Sequence, residues 1–298
     1  MSVRTASHSG SWYTNNPVQL EAQVDGWLRA AKPPPHARIR ALISPHAGLS
    51  YSGRTASYAY SHVQLDGVKR IFILGPSHHE YLPGIAVSPF QKWACPLGEL
   101  HVDTAMLQEL QAQSTPQLPI MAFGKSADEE EHSLEMQIPF IAQLLRTSSG
   151  AVRTDIGIVP IVVGSLSGQQ EVEYGQLLAP YLQDPANLFC ISSDFCHWGT
   201  RFRYTHYDPR CGQIHESIEV LDKEGMALIQ AQDYAGWVQY LQTTKNTICG
   251  RVPISLLLTA MQAMNNPFEV KWVQYAQSQA ITSKSESSVS YAAGVVFA

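Results

Sequence analysis

The chain is predicted to be an α/β protein with three layers, α-β-α, around a central mixed, mostly parallel sheet. Three observations carry that expectation. Four short apolar runs, Ile39–Ile43, Arg70–Leu74, Ile156–Val163 and Asn187–Ile191, lack polar alternation, as strands covered on both faces do. Stretches with helical spacing separate them, and such alternation places helices on both sides of a sheet. The 298 residues are 45% hydrophobic and only 15% charged, which suits one large buried core.

Taken in order, Leu20, Val24, Trp27 and Leu28 sit at helical spacing and predict a helix over Val18–Ala31, stopped by Pro33–Pro35. A second helix starts near Gly53 and ends in "SHVQLDG". "HSLEMQIPFIAQLL" reads as one helix with Leu134, Ile138, Ile141 and Leu145 on its apolar stripe. "GQQEVEYGQLLAPYL" is the helix before the fourth strand. Pro253–Met264 forms another, with Pro253 in its first turn, Ile254, Leu257, Leu258 and Met261 on its apolar face, and Asn265-Asn266-Pro267 as its stop. "FEVKWVQYA" and "SVSYAAGVVFA" read as late strands, the second at an edge. No long linker, repeat or low-complexity block interrupts the chain, so residues 1–298 are expected to form a single domain.

Composition excludes several classes. A net charge of −5 without a clustered Lys/Arg excess gives no nucleic-acid footprint. No run approaches the ~20 apolar residues of a membrane span, and "MSVRTASHSGSWYTNN" lacks a signal-peptide core. A cytoplasmic protein without membrane insertion is expected. Its five cysteines, odd in number and without a CxxC pair, read as reduced thiols. There is no GxGxxG and no Walker A sequence, and "GSLSG" at 164–168 has Leu166 where a nucleophilic serine would stand.

The strand ends agree with one another. The first runs into "SPHAG" with His46, the second into "GPSHH" with His78 and His79, and the fourth into "SSDFCHWG" with Asp194, Cys196 and His197. Ligands of open α/β sheets bind beyond the carboxyl ends of the strands, so three strands delivering imidazoles to one edge predict a shared site. A lone histidine after a strand is more often a hydrogen-bonded structural residue. Of the two neighbours His78 and His79, the second is the weaker candidate, and Cys196 is expected to turn into packing.

Cys249, in "NTICGRVP" before a helix and near Arg251, is expected to favour thiolate. With two imidazoles it would suit Fe(II), Cu(I) or Zn(II), although a free cysteine is more often simply packed. In "SADEEEHSLEMQ", Ser126 and Glu129 have capping-box spacing, and Asp128–Glu131 read as a solvated helix start. His132 and Glu135 share a helix face and are candidates to support the site from behind its ligands. "RFRYTHYDPR" interleaves Arg201, Arg203, Tyr204 and Tyr207, a pattern able to hold an anionic aromatic ring. Trp12 and Tyr13 would add an aromatic wall or pack in the core.

"GSWYT", "SPHAG", "FILGPSHH", "DEEEHSLEMQIPF", "SSDFCHWG", "NTICGR" and "SSVSYAAG" together closely resemble the Memo family, mediators of receptor-tyrosine-kinase-driven cell motility. The resemblance spans nearly the whole chain. It implies a fold similar to class III nonheme-iron extradiol dioxygenases. His46, His78 and Cys249 would be the metal triad, binding iron(II), with copper(I) as the alternative. Asp194 and His197 would line the same pocket, with His197 the counterpart of a catalytic acid–base and Asp194 orienting it. His79, His132 and Glu135 are expected around the triad. Those dioxygenases hold iron with a carboxylate where Cys249 stands, so ring cleavage is not expected, and metal-dependent redox chemistry such as O2 reduction is. The resemblance also implies phosphotyrosine-peptide recognition, with Trp12, Tyr51, Arg201 and Arg203 in position for receptor or adaptor segments. A non-catalytic adaptor is the alternative function. A zinc hydrolase with Asp194 or Glu135 as base is a third reading that nothing in the sequence selects.

Overall fold

The computed structural model describes residues 2–33, 36–264 and 268–298. The predicted stops at Pro34–Pro35 and at Asn265-Asn266-Pro267 therefore lie outside the described residues. The elements in chain order begin with β1 (Val3–Arg4), α1 (Pro17–Ala30), β2 (Ile39–Ser44), α2 (Leu49–Tyr60) and β3 (Arg70–Pro76). Next come β4 (Ile85–Val87), β5 (Lys92–Trp93), β6 (Leu100–His101), α3 (Thr104–Ala112) and β7 (Ile120–Ala122). The middle of the chain forms α4 (Lys125–Glu130), α5 (His132–Glu135), α6 (Ile138–Leu144), β8 (Gly157–Val163), α7 (Gly168–Gln183), β9 (Asn187–Ser192) and β10 (His197–Trp198). Last are α8 (Ile214–Gln230), α9 (Tyr234–Thr244), α10 (Arg251–Gln262), β11 (Glu269–Gln277) and β12 (Ser288–Phe297).

The main sheet runs β10-β12-β2-β9-β3-β8-β4-β7, with β11 on the far side of β12. Its centre, β2-β9-β3-β8, is parallel throughout. Antiparallel pairing is confined to the margins, where β12 meets β2, β10 and β11, and β4 meets β8. Helices α1, α2, α5 and α6 cover one face, and α7, α9 and α10 the other. This is the three-layer arrangement expected, because strands such as Ile71–Leu74 and Ile158–Val163 have no hydrophilic face and must be covered twice. A small sheet of β1, β5 and β6 lies apart from the main one.

Three expectations need correction. The C-terminal strand β12 is not an edge: it lies between β2 and β11, with Ala292, Ala293, Val295 and Val296 fully buried. Helix α2 starts at Leu49 and not near Gly53. Gly53 is mid-helix because Trp27 of α1 leans on it; a Cβ there would stand 2.4 Å from the indole. The "HSLEMQIPFIAQLL" helix is two helices, α5 and α6. Pro139 has no N–H to donate to the carbonyl of Glu135, so the ladder breaks there.

The order β2-β9-β3 has one functional consequence. These neighbouring parallel strands end at the same edge of the sheet. The segments holding His46, Asp194 and His78 are therefore neighbours in space.

Candidate metal centre

His46 follows β2 and is 2% exposed. Its Nδ1 lies 2.8 Å from Ser192 Oγ, and its backbone N–H donates to Asp194 Oδ1 at 2.9 Å. His78 follows β3. Its backbone N–H donates to Glu131 Oε2 at 2.6 Å, and its Nδ1 donates to Glu131 Oε1 at 2.9 Å. Cys249 comes from the turn before α10. Its Sγ is 3.1 Å from His46 Nε2 and accepts the N–H of Asp194 at 3.2 Å. Glycine at 250 permits this approach, since a Cβ there would meet Ser193 Cβ at 2.3 Å and the Ser192 carbonyl at 2.5 Å. One donor atom from each of His46, His78 and Cys249 lies within 4.8 Å of the others.

His46 is buried, Cys249 half-buried and His78 exposed, so desolvation acts unevenly across the three donors. Burial pushes His46 well below the ordinary imidazole value, helped by His78, His132 and His197, so its ring is neutral. Burial, with the Asp194 carboxylate beside it, pushes the Cys249 thiol well up. The expected thiolate is thus not the state of the metal-free site. Arg251 does not attend the sulfur; it lines a separate cleft with Glu171 and Lys245. A metal must displace the thiol proton on binding. Burial also raises Asp194, opposed by His197 and by the N–H groups of His46 and Ala47. Burial would raise Glu131 as well, but hydrogen bonding and charge from His78 outweigh it and hold the carboxyl at about 2.

The residues fit a metal by the chemistry of their donors. His78 gives Nδ1–H to an ionised carboxylate and so presents a bare Nε2. A carboxylate behind a ligating histidine is the usual way to fix its tautomer and raise its basicity. Two imidazoles and a sulfur suit iron, copper(I) or zinc better than the harder oxygen-seeking cations.

Asp194 and His197 line the same cavity of about 730 Å³ as His46, His78 and His132. His197 Nδ1 faces two carbonyls, Phe195 at 2.9 Å and Thr247 at 3.1 Å, so it carries the proton and leaves Nε2 free to accept one. His132 stacks on His78 with ring centroids 4.3 Å apart, and burial and the neighbouring His78 lower it to about 3. His79 is exposed, its ring centroid 6.1 Å from that of His132, and it is not among the three converging donors. Glu135 is fully buried but serves Arg4, His8 and Tyr13, at 2.5, 2.9 and 2.8 Å, and not the triad directly. Trp12, Tyr51 and Arg201 line the cavity and Arg203 does not. Tyr13 packs in the core at 5% exposure, and Cys196 turns away, fully buried.

Sequence reasoning missed Glu131 and Ser192. Asp128 and Glu131, read as solvated, are 2% and 1% exposed. Nor is there a capping box at Ser126, since α4 begins after Gly124 and Glu129 accepts from Thr5 instead. Glu131 caps α5 through Ser133 N–H at 2.8 Å while holding His78. The available signal was a dense acidic run directly before a histidine in a chain with few charges.

Fold and site define an α/β protein with a His-His-Cys pocket at the carboxyl edge of a parallel sheet core. The model of the Memo-like protein family matches residues 4–295, and the chain belongs to that family. Protein MEMO1 of Danio rerio is 45% identical over 99% of this chain and 98% of its own length. Protein memo-1 homolog of Caenorhabditis elegans is 46% identical over 99% of this chain and 83% of its own. Human Protein MEMO1 is 44% identical over 98% and 97%. Among solved structures, the uncharacterized protein JW3007 of Escherichia coli K12 aligns over 87% of this chain and 99% of that one, with a TM-score of 0.48 and 14% identity.

Proposed function

We propose that the chain binds a redox metal, iron(II) or alternatively copper(I), through His46, His78 and Cys249. The convergence of these three donors, each held by a hydrogen bond, carries the reading. When bound, the metal supplies a centre able to exchange single electrons. His197 accepts or returns a proton at Nε2, and Asp194 fixes the backbone of His46 while its charge faces His197. The function is linked to redox control and to cytoskeletal signalling in cell motility downstream of receptor tyrosine kinases. Five free cysteines suit the reducing cytosol, and no helix among the described residues is long and apolar enough to cross a membrane. Metal analysis of protein purified without oxygen tests the triad. Wild type should carry equimolar metal, and the His46→Ala, Cys249→Ala double variant should carry almost none. Full occupancy in that variant would rule the triad out.

A second reading rests on the rim of the same cavity, where Arg201 stands with Trp12 and Tyr51. Here a phosphotyrosine side chain enters and the protein acts as an adaptor without turnover. Arg201→Ala should abolish binding of a phosphotyrosine peptide while metal content stays unchanged. Failure of the wild type to bind any such peptide would sink this reading.

A further inference from the structure

Behind His46 lies a buried polar chain of Gln137, Ser192 and Ser133, all fully buried. Gln137 Nε2 lies 3.1 Å from the Pro45 carbonyl and 2.8 Å from Ser192 Oγ, while its Oε1 accepts from Tyr60 OH at 2.8 Å. A carbonyl can only accept, so Pro45 fixes which end of the amide is the NH2 group. Ser192 Oγ lies 2.6 Å from the Ser133 carbonyl, and that contact takes the single hydroxyl proton. With Gln137 also donating to it, Ser192 has only a lone pair left for His46 Nδ1 at 2.8 Å. The ring must therefore be the donor there. In a neutral imidazole, a proton on Nδ1 leaves Nε2 bare, and Nε2 is the atom that faces Cys249 Sγ.

We propose that Ser192 is a positioning residue that, with its proton committed to the Ser133 carbonyl and one lone pair to Gln137, locks His46 in the Nδ1–H tautomer and keeps its Nε2 open as a donor. The meaning of this lock for ligation rests on the metal reading above; the lock itself does not. It also explains why an amide, donor and acceptor in one side chain, occupies position 137. Only a group that receives from Tyr60 and gives to both Pro45 and Ser192 completes the chain.

The test is nitrogen-15 NMR of the His46 ring in metal-free protein, followed by copper(I) titration against a competing chelator. In wild type, Nδ1 should appear as the protonated nitrogen and Nε2 as the unprotonated one. Ser192→Ala removes the acceptor, so the ring should shift toward Nε2–H, and copper(I) affinity should fall about tenfold or more, as when other partners of ligating groups are lost. Gln137→Met leaves the Ser133 carbonyl to take the hydroxyl proton, so the ring should stay Nδ1–H in that variant. Should Ser192→Ala fail to fold, the ring signals of wild type and Gln137→Met decide alone. An Nε2–H ring in wild type or in Gln137→Met, or a tautomer unmoved by Ser192→Ala, would overturn the proposal. A wild type with the stated tautomer but no copper(I) affinity would uphold the lock and refute the metal reading.

Discussion

Glu131 is the residue on which the presentation of His78 turns. Its two oxygens take the backbone N–H and the Nδ1–H of His78 and the N–H of Ser133. Glu131→Gln should weaken metal binding by roughly 10- to 100-fold, measured by chelator competition. His79→Ala, at an exposed ring outside the triad, should leave affinity within about twofold. Equal losses in both variants would remove Glu131 from its role. The two imidazole donors were legible in the sequence because histidines after strands recur at His46, His78 and His197, whereas Cys249 joined them only through the family resemblance. Glu131 was not legible, because an acid at a helix start ordinarily faces water and favours the dipole. The tertiary packing of α5 against β3 and β8 is absent from that local pattern, and Glu131 is 1% exposed. The expected thiolate at Cys249 failed for a related reason: charge near in sequence, at Arg251, points elsewhere, while burial dominates at the sulfur.

Among the elements, α7 and α10 pack against each other extensively, and α10 carries the Cys249 turn at its start. Their contact depends on Gly175. A Cβ there would stand 2.0 Å from Thr259 Oγ1 and 2.8 Å from the backbone nitrogen of Ala260. Backbone cannot step aside as a flexible side chain can. Gly175→Ala should therefore destabilise by about 1–3 kcal/mol, despite the better helix propensity of alanine. The thermal midpoint should drop by roughly 2–5 °C; a midpoint equal to or above wild type would contradict this packing. The parallel core strands were readable from apolar runs alone. The place of β12 was not, because pairing partners are set by tertiary contacts that a local pattern does not encode. The break between α5 and α6 could have been seen at Pro139, where the apolar stripe concealed a missing donor.

At the scale of the molecule, one continuous hydrophobic cluster joins both helical layers through the sheet. The protein should unfold in a single cooperative transition by calorimetry, with two separated transitions as the contrary result. Acid stability follows from two buried carboxylates. Burial alone would raise Glu131 and Glu135, but bonds from His78 and His8, with Arg4, hold both at about 2 against an ordinary 4.5. Between those values the unfolded chain binds more protons than the folded one. Their contribution is therefore complete above about pH 4.5 and lost as pH falls toward 2, on the order of a few kcal/mol together. Asp222, raised to about 6 by burial, works in the opposite sense and loses its contribution as pH rises through 6. Glu135→Gln should flatten the fall in thermal midpoint below pH 4.5, and an unchanged slope would remove Glu135 from that balance. The central claim is that two imidazoles and one sulfur from distant segments form a single metal site. X-ray absorption of the anaerobically copper(I)-loaded protein tests it most directly. The expected spectrum has one sulfur and two imidazole nitrogens around the metal, the sulfur vanishing in Cys249→Ser; a wild-type spectrum with only nitrogen and oxygen neighbours would contradict it.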